Sequence, residues 1–166
     1  MIEVYKNLFV GSENDYFDIQ NQDNWSVIHA CKNFHNQNLC IYPLNKAIPN
    51  NHSERSFAIR GNKISLNLID GDSYKNIPQV YKDEIALIIN KAIDFINENI
   101  KINKVLVHCN QGISRSPTIA FLYLNKHTNI FDNLSLDDAI LEFKKLYPFY
   151  NPKNGMIEYV ESQLFN

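Results

Sequence analysis

One stretch constrains this chain more than any other: Val105-Leu106-Val107-His108-Cys109-Asn110-Gln111-Gly112-Ile113-Ser114-Arg115-Ser116-Pro117. Its first residues are β-branched and apolar, the composition of a buried strand. A Cys, a Gly-containing loop and an Arg follow. Ser116 and Pro117 then offer a favoured helix cap and a favoured first helical residue. Thr118 to Leu124 continues as an apolar helix. A loop running from a strand end to a helix start can turn its backbone N–H groups toward one point, where the helix N-terminus adds positive potential. Such a site takes an anion, and phosphate is the natural one.

Cys109 stands at the lip of that site. A thiol beside a helix N-terminus and a cationic side chain is favoured as the thiolate, the form that attacks. Arg115 offers a planar fork of donors that matches two phosphate oxygens. Nucleophile and phosphate clamp thus share one turn of chain. The chemistry they permit is attack of sulfur on phosphorus and later hydrolysis of the phosphocysteine.

The pattern His108-Cys109, five residues, Arg115-Ser116 resembles the signature of the cysteine-based protein tyrosine phosphatases. The fuller run from His108 to Pro117 resembles their dual-specificity branch. The resemblance implies a fold: a single α/β domain over residues 1–166, with a central twisted, mostly parallel sheet of about five strands flanked by helices. The phosphate-binding loop would lie between a strand end and a helix N-terminus. Roles follow by the same resemblance. Cys109 is the nucleophile and Arg115 stabilises the transferring phosphoryl group. Asn110, Gln111, Gly112, Ile113 and Ser114 surround the substrate phosphate. Ser116 donates a hydrogen bond to the departing sulfur, and His108 supports the loop and the thiolate. The implied activity is hydrolysis of phosphotyrosine and phosphoserine or phosphothreonine in proteins, with no cofactor.

Two other substrate classes fit the same site, RNA 5′-phosphates and phosphoinositides. The loop lacks the Lys residues expected for inositol lipids, and the chain lacks the wider basic character expected for RNA. A catalytically silent phosphopeptide-binding module is the alternative from a different class; a pure binder would not need the nucleophile.

At 166 residues, 45% hydrophobic and 20% charged, the chain has the size and composition for one globular core. A net charge of −2 gives no pull toward nucleic acid or an anionic membrane. No apolar run approaches a membrane span, and Met1 to Lys6 does not read as a signal peptide. Three Cys without paired spacing fit a reducing cytoplasm rather than a disulfide framework. The expected partner is a phosphorylated protein, with no nucleic acid and no membrane.

Two short strands are expected from Ile2 to Gly11, meeting at Lys6-Asn7, then a short helix over 15–20 and a buried strand over 25–31. His29 on that strand has no second ligand at metal-binding spacing, so it reads as a satisfied strand histidine and no metal is expected. The polar stretch from Lys32 to Asn62 is long for a connection and is expected to hold small structure or a functional loop. Lys32, His35, Arg55 and Arg60 on it either line the substrate approach or are solvated. Phe57 to Leu66 reads as a hairpin around Gly61-Asn62.

Residues 64–70 read as a strand running into the loop signal Asp70-Gly71-Asp72-Ser73. Phosphoryl transfer to Cys needs a proton for the departing oxygen, which a carboxyl on a movable loop can supply before it activates water. In the resembled family a strand upstream of the Cys loop ends in such an Asp. Asp70 matches by strand context, and Asp72 is the second candidate. Ile85, Ile88, Ile89, Ala92, Ile93 and Ile96 then repeat at helical spacing within 78–100.

Ser135-Leu136-Asp137-Asp138 resembles a capping box opening a helix that stops before Pro148. A last helix is expected over 152–165. Tyr150 to Met156 resembles a family element that packs near the phosphate loop, with Lys153 and Met156 as departures. Cys31 ends its strand, and strand ends collect at the catalytic edge of such a sheet. Some relatives use a Cys there to trap the oxidised nucleophile as a disulfide; an inert buried thiol is the other reading.

Overall fold

The computed structural model describes residues 1–164. In chain order its elements are β1 (Ile2–Tyr5), β2 (Leu8–Ser12), α1 (Glu13–Ile19), β3 (Trp25–His29), α2 (Lys32–Asn38), β4 (Phe57–Arg60), β5 (Lys63–Leu66), α3 (Gln79–Asn99), β6 (Lys104–Cys109), α4 (Arg115–His127), α5 (Leu136–Leu146) and α6 (Asn154–Leu164). The strands form one sheet of order β1-β2-β6-β3-β5-β4. The four inner strands are parallel, and β1 and β4 pair antiparallel at the two edges. The expected mostly parallel sheet is therefore present, with six strands.

β6 lies inside the sheet, so both its faces are covered and Val105 through Cys109 are all buried. Successive side chains alternate between faces. Val105 and Val107 enter the large core built with Ile88, Ile89, Ala92, Ile93 and Ile96 of α3 and with the buried run of α4. Leu106 points the other way, into a smaller cluster with Ile19, Trp25 and Val27 that Phe9 and Tyr16 extend. The same alternation carries His108 and His29 to that second face. The expected helix over 78–100 is α3, with Pro78 as its cap.

Several boundaries differ from the expectations, each for a physical reason. α1 begins two residues early because the Asp15 carboxylate accepts the Ser12 N–H (2.7 Å) and closes a capping box there. Helix α2 occupies the start of the polar stretch after Cys31. Its buried His35 and Asn36 hide in a run of polar residues because distant groups satisfy them. Ser65 Oγ lies 3.0 Å from His35 Nδ1, and Lys46 O accepts from Asn36 Nδ2 at 2.8 Å.

The strand expected over 64–70 ends at Leu66, where its β4 partner Phe57 begins, and residues 67–70 leave the sheet. Helix α4 starts at Arg115 with Ser114 at its cap, not at Ser116-Pro117. The Thr118 N–H already closes the first turn on Ser114 O (3.1 Å), and Pro117 sits within that turn, where no intrahelical N–H is required. At α5 the Ser135 hydroxyl accepts the Asp138 N–H (3.2 Å) and donates to the Asp138 carboxylate (2.6 Å), so the capping box is only half made. The last helix is described to Leu164; Phe165, its expected end, lies outside the described residues. Among the described residues no helix is long and apolar enough to cross a membrane.

Candidate active site

Strand register brings the sheet's C-terminal edge together around Cys109. Ser12 pairs with Cys109 across β2 and β6, and His29 pairs with His108 across β3 and β6. The chain then turns through Asn110 to Ser114 into α4. Gly112 takes φ of +76°, and a Cβ there would stand 2.8 Å from the Gly11 carbonyl carbon and oxygen. No side chain fits, so the loop backbone lies directly on β2.

Four of the loop's carbonyls face outward. Asn110 O accepts the Glu13 N–H (3.4 Å), Gly112 O the Tyr147 hydroxyl (2.8 Å) and Ile113 O the Asn151 N–H (2.8 Å). Ser114 O accepts both the N–H (3.1 Å) and the hydroxyl (2.8 Å) of Thr118. In a planar trans peptide the following N–H points opposite to the carbonyl. The N–H groups of Gln111, Ile113, Ser114 and Arg115 are therefore turned to the inner side of the loop, a nest that suits an anion.

Cys109 is a buried free thiol at the base of this loop. Ser116 Oγ lies 3.3 Å from its sulfur and 3.2 Å from Gly11 O, so its one hydrogen can serve either. The Arg115 guanidinium is held at its tips, Nη1 donating to Leu68 O (3.2 Å) and Nη2 to Asn110 Oδ1 (2.9 Å). Among the described residues its buried Nε–H has no hydrogen-bond partner, a donor that can meet an oxyanion.

The two aspartates separate clearly. Asp70 turns to the loop: Oδ1 accepts from the Ser114 hydroxyl (2.7 Å) and Oδ2 lies 3.8 Å from Arg115 Nε. Asp72 is 95% exposed, and its carboxylate lies 3.8 Å from Lys153 Nζ. The Asp70 loop is fixed from behind by α6. The Glu158 carboxylate accepts from Ser73 Oγ (3.0 Å) and from the N–H groups of Tyr74 and Lys75 (both 2.7 Å). Gly155 packs so closely that a Cβ would stand 2.4 Å from Gly71 O. The segment after Tyr150 does reach the phosphate loop, through Asn151 and through the Lys153 N–H, which donates to Ser114 Oγ at 3.1 Å.

Four basic residues raised as lining the substrate approach are engaged elsewhere. Lys32 donates to Asn45 O (3.1 Å), Arg55 pairs with Glu84 (2.9 Å) and Arg60 with Glu54 (2.6 Å). His35 is buried against Ser65 and the carbonyls of Glu54 and Arg55. Cys31 lies one step past Ala30, whose N–H bonds His108 O (2.8 Å). Burial pushes the Cys31 thiol up to about 12, with Arg115 opposing the rise and Cys109 adding to it. It is a protonated neighbour of Cys109 at neutral pH.

His108 and His29 meet within this edge, His29 Nδ1 lying 2.6 Å from His108 Nε2. Burial pushes His108 down to about 4, the Cys109 backbone opposing it, and burial with the neighbouring His108 and Lys63 lowers His29 as well. Both rings are neutral in the folded protein. An unfolded chain takes up protons at these positions as pH falls through about 6.5. Folding stability is therefore lost from there down to about pH 4, with no effect of this kind above 6.5. For His108 alone the loss at pH 5 is about 2 kcal/mol. Urea unfolding midpoints should fall accordingly between pH 7.5 and pH 5, and equal midpoints would refute the neutral pair.

Sequence reasoning missed Glu13, Tyr147 and Glu158, which orient the two loops, and the partnership of His29. Tyr147 and Glu158 carry no local signal, because their contacts lie 35 and 84 residues away, respectively, at Gly112 and Tyr74. For His29 the signal was the period-2 parity it shares with His108, useful only once strand order is known.

Residues 8–161 match the family described as dual specificity phosphatase, catalytic domain. A probable dual specificity protein phosphatase of Dictyostelium discoideum is 40% identical over 75 residues, covering 43% of this chain and 31% of that protein. Human dual specificity protein phosphatase 1 is 37% identical over 98 residues, covering 55% of this chain and 25% of its own length. The matched segments thus span less than a third of those relatives. Among solved structures, a human tyrosine phosphatase-like serine/threonine/tyrosine-interacting protein superposes with a TM-score of 0.61 at 20% identity, covering 98% of this chain and 94% of its own. Human DUSP28 superposes with a TM-score of 0.61 at 15% identity, covering 97% and 90%. At those identities the likeness is one of fold.

Proposed function

The chain belongs to the dual specificity phosphatase catalytic-domain family, and on that premise we propose that it hydrolyses phosphotyrosine and phosphoserine or phosphothreonine in proteins through a phosphocysteine intermediate. One observation carries the reading: Cys109, the Nε–H of Arg115, the Ser116 hydroxyl and the Asp70 carboxylate converge on a single loop whose N–H groups turn inward.

In the first step the Cys109 sulfur attacks phosphorus, and the bond to the substrate oxygen breaks. Protonated Asp70 gives its proton to that oxygen, which leaves as the alcohol or phenol. Charge on the equatorial oxygens is met by Arg115 and the loop amides, donors already aimed and needing little reorganisation. In the second step Asp70 takes a proton from water as its oxygen attacks phosphorus. Sulfur leaves as the thiolate, with the Ser116 hydrogen directed to it. His108 supports the first peptide of the loop. No step calls for a metal or cofactor.

Turnover assays test this reading. With no added metal, the protein should hydrolyse p-nitrophenyl phosphate and peptides carrying phosphotyrosine or phosphothreonine. Inositol lipids and RNA with a 5′-phosphate should be poor substrates. A strong preference for either of those, or phosphopeptide binding with no hydrolysis, would replace this assignment by one of the alternatives.

A further inference from the structure

The least expected feature at the catalytic edge is the pair of histidines beneath the nucleophile. Their placement follows from register: His29 and His108 are direct partners on adjacent parallel strands, so their side chains leave the same face. Aromatic rings fix both planes. Tyr16 stacks on His108 at 5.0 Å and 2°, and Phe34 stacks on His29 at 4.8 Å and 6°. Both imidazoles are buried, so water does not compete for their nitrogens.

A neutral imidazole has one N–H and one lone pair. The contact between His29 Nδ1 and His108 Nε2 therefore needs a proton on one of them and a lone pair on the other. The choice decides what His108 presents at Nδ1. Among the described residues no hydrogen-bond partner of good geometry reaches that buried nitrogen, and the polar group acting on the ring is the backbone of Cys109. This backbone favours a proton on the ring, as a carbonyl does and an N–H does not. The consistent arrangement has His29 Nδ1–H donating to His108 Nε2, and His108 Nδ1–H turned to the Cys109 carbonyl.

We propose that His29 is a positioning residue for the nucleophile: it fixes His108 with its proton on Nδ1, which holds the Cys109 carbonyl and turns the Asn110 N–H into the loop. The peptide following Cys109 is the first plane of the anion nest. Glu13, Tyr147, Asn151 and Thr118 hold four of the later planes by their carbonyls. The histidine pair does the same for the first. An Asn110 N–H aimed inward adds one more donor beside the sulfur and stabilises its anion. The charged or ionisable side chains facing the pair are Asp15 and Tyr16 on α1, Lys63 on β5 and Arg115 on α4. The consequence for catalysis rests on the phosphatase reading; the tautomer does not.

The tautomer is measured first, in the wild-type protein, from long-range proton–nitrogen correlations of the imidazoles near pH 7.5. His108 should carry its proton on Nδ1, and His29 on Nδ1. A proton on Nε2 of His108 overturns the proposal, whatever the variants do. Two substitutions then separate positioning from packing. His29→Asn keeps an amide donor where Nδ1 stands, and His29→Leu removes it. Alkylation of Cys109 by iodoacetamide is followed across pH. In folded His29→Leu, alkylation near pH 6 should slow about fivefold, the scale of one net hydrogen bond, and kcat on p-nitrophenyl phosphate should fall in parallel. At pH high enough to ionise every thiol the alkylation rates should converge, and His29→Asn should restore wild-type behaviour. A folded His29→Leu protein with the wild-type alkylation profile overturns the proposal, and so does His29→Asn behaving like His29→Leu. If the wild-type protein fails to turn over p-nitrophenyl phosphate, the phosphatase reading falls, while the tautomer and the alkylation profile still decide the part played by His29.

Discussion

Replacing Cys109 by Ser should abolish turnover while leaving the binding of phosphate or vanadate intact. The two halves of this result come from different atoms. The hydroxyl of a serine in the same position is not ionised near neutral pH, so no competent nucleophile remains. The anion nest is made of backbone N–H groups and Arg115, and the substitution touches none of them. The expected fall in kcat is on the order of 10⁶-fold, the scale on which loss of a covalent nucleophile acts in hydrolases. Ligand affinity, read by calorimetry or by ligand-induced stabilisation, should change little. A Cys109→Ser protein that keeps its rate would remove sulfur from the mechanism, and one that loses the anion as well would mean the loop depends on the thiol for its shape.

The second large effect falls on Asp70. Its carboxylate lies at the loop, bonded to Ser114 and facing Arg115, whereas Asp72 is in solvent. In the proposed mechanism Asp70→Asn removes the proton donor for the departing oxygen. For a phosphoserine or phosphothreonine peptide, whose leaving group is a basic alkoxide, kcat should fall about 100-fold or more. For an aryl phosphate with a good leaving group the loss should be smaller. The profile of rate against leaving-group basicity should steepen. Asp72→Asn should leave both rate and profile as they are. An Asp70→Asn protein with wild-type rate on the alkyl substrate and wild-type profile would place the acid elsewhere.

The parts of the site that were legible in the sequence are those the chain carries contiguously. Val105 to Leu124 holds strand, thiol, loop, guanidinium and helix in one run, and each local preference agrees with the fold formed. Even there the helix start was misplaced by two residues, because Ser114 takes the cap ahead of Ser116-Pro117. Helix α2 was illegible because its buried residues are polar, and their partners at Ser65 and Lys46 lie in other segments. Asp70 and Asp72 share one loop signal. What distinguishes them is the exit of residues 67–70 from the sheet and the grip of Glu158 on residues 73–75. The histidine pair needed strand order, since no pattern along the chain shows that β3 lies beside β6.

The most direct measurement is to catch the phosphorylated enzyme. In Ser116→Ala the hydrogen directed at the sulfur is gone, so the second step should slow more than the first. The wild-type and Ser116→Ala proteins are each mixed with excess p-nitrophenyl phosphate, quenched rapidly in denaturant and mapped by peptide mass spectrometry. A phosphate group on the peptide carrying Cys109, assigned to sulfur and more abundant in Ser116→Ala, is the predicted result. Active turnover with Cys109 unmodified at every quench time, in both proteins, would contradict the account.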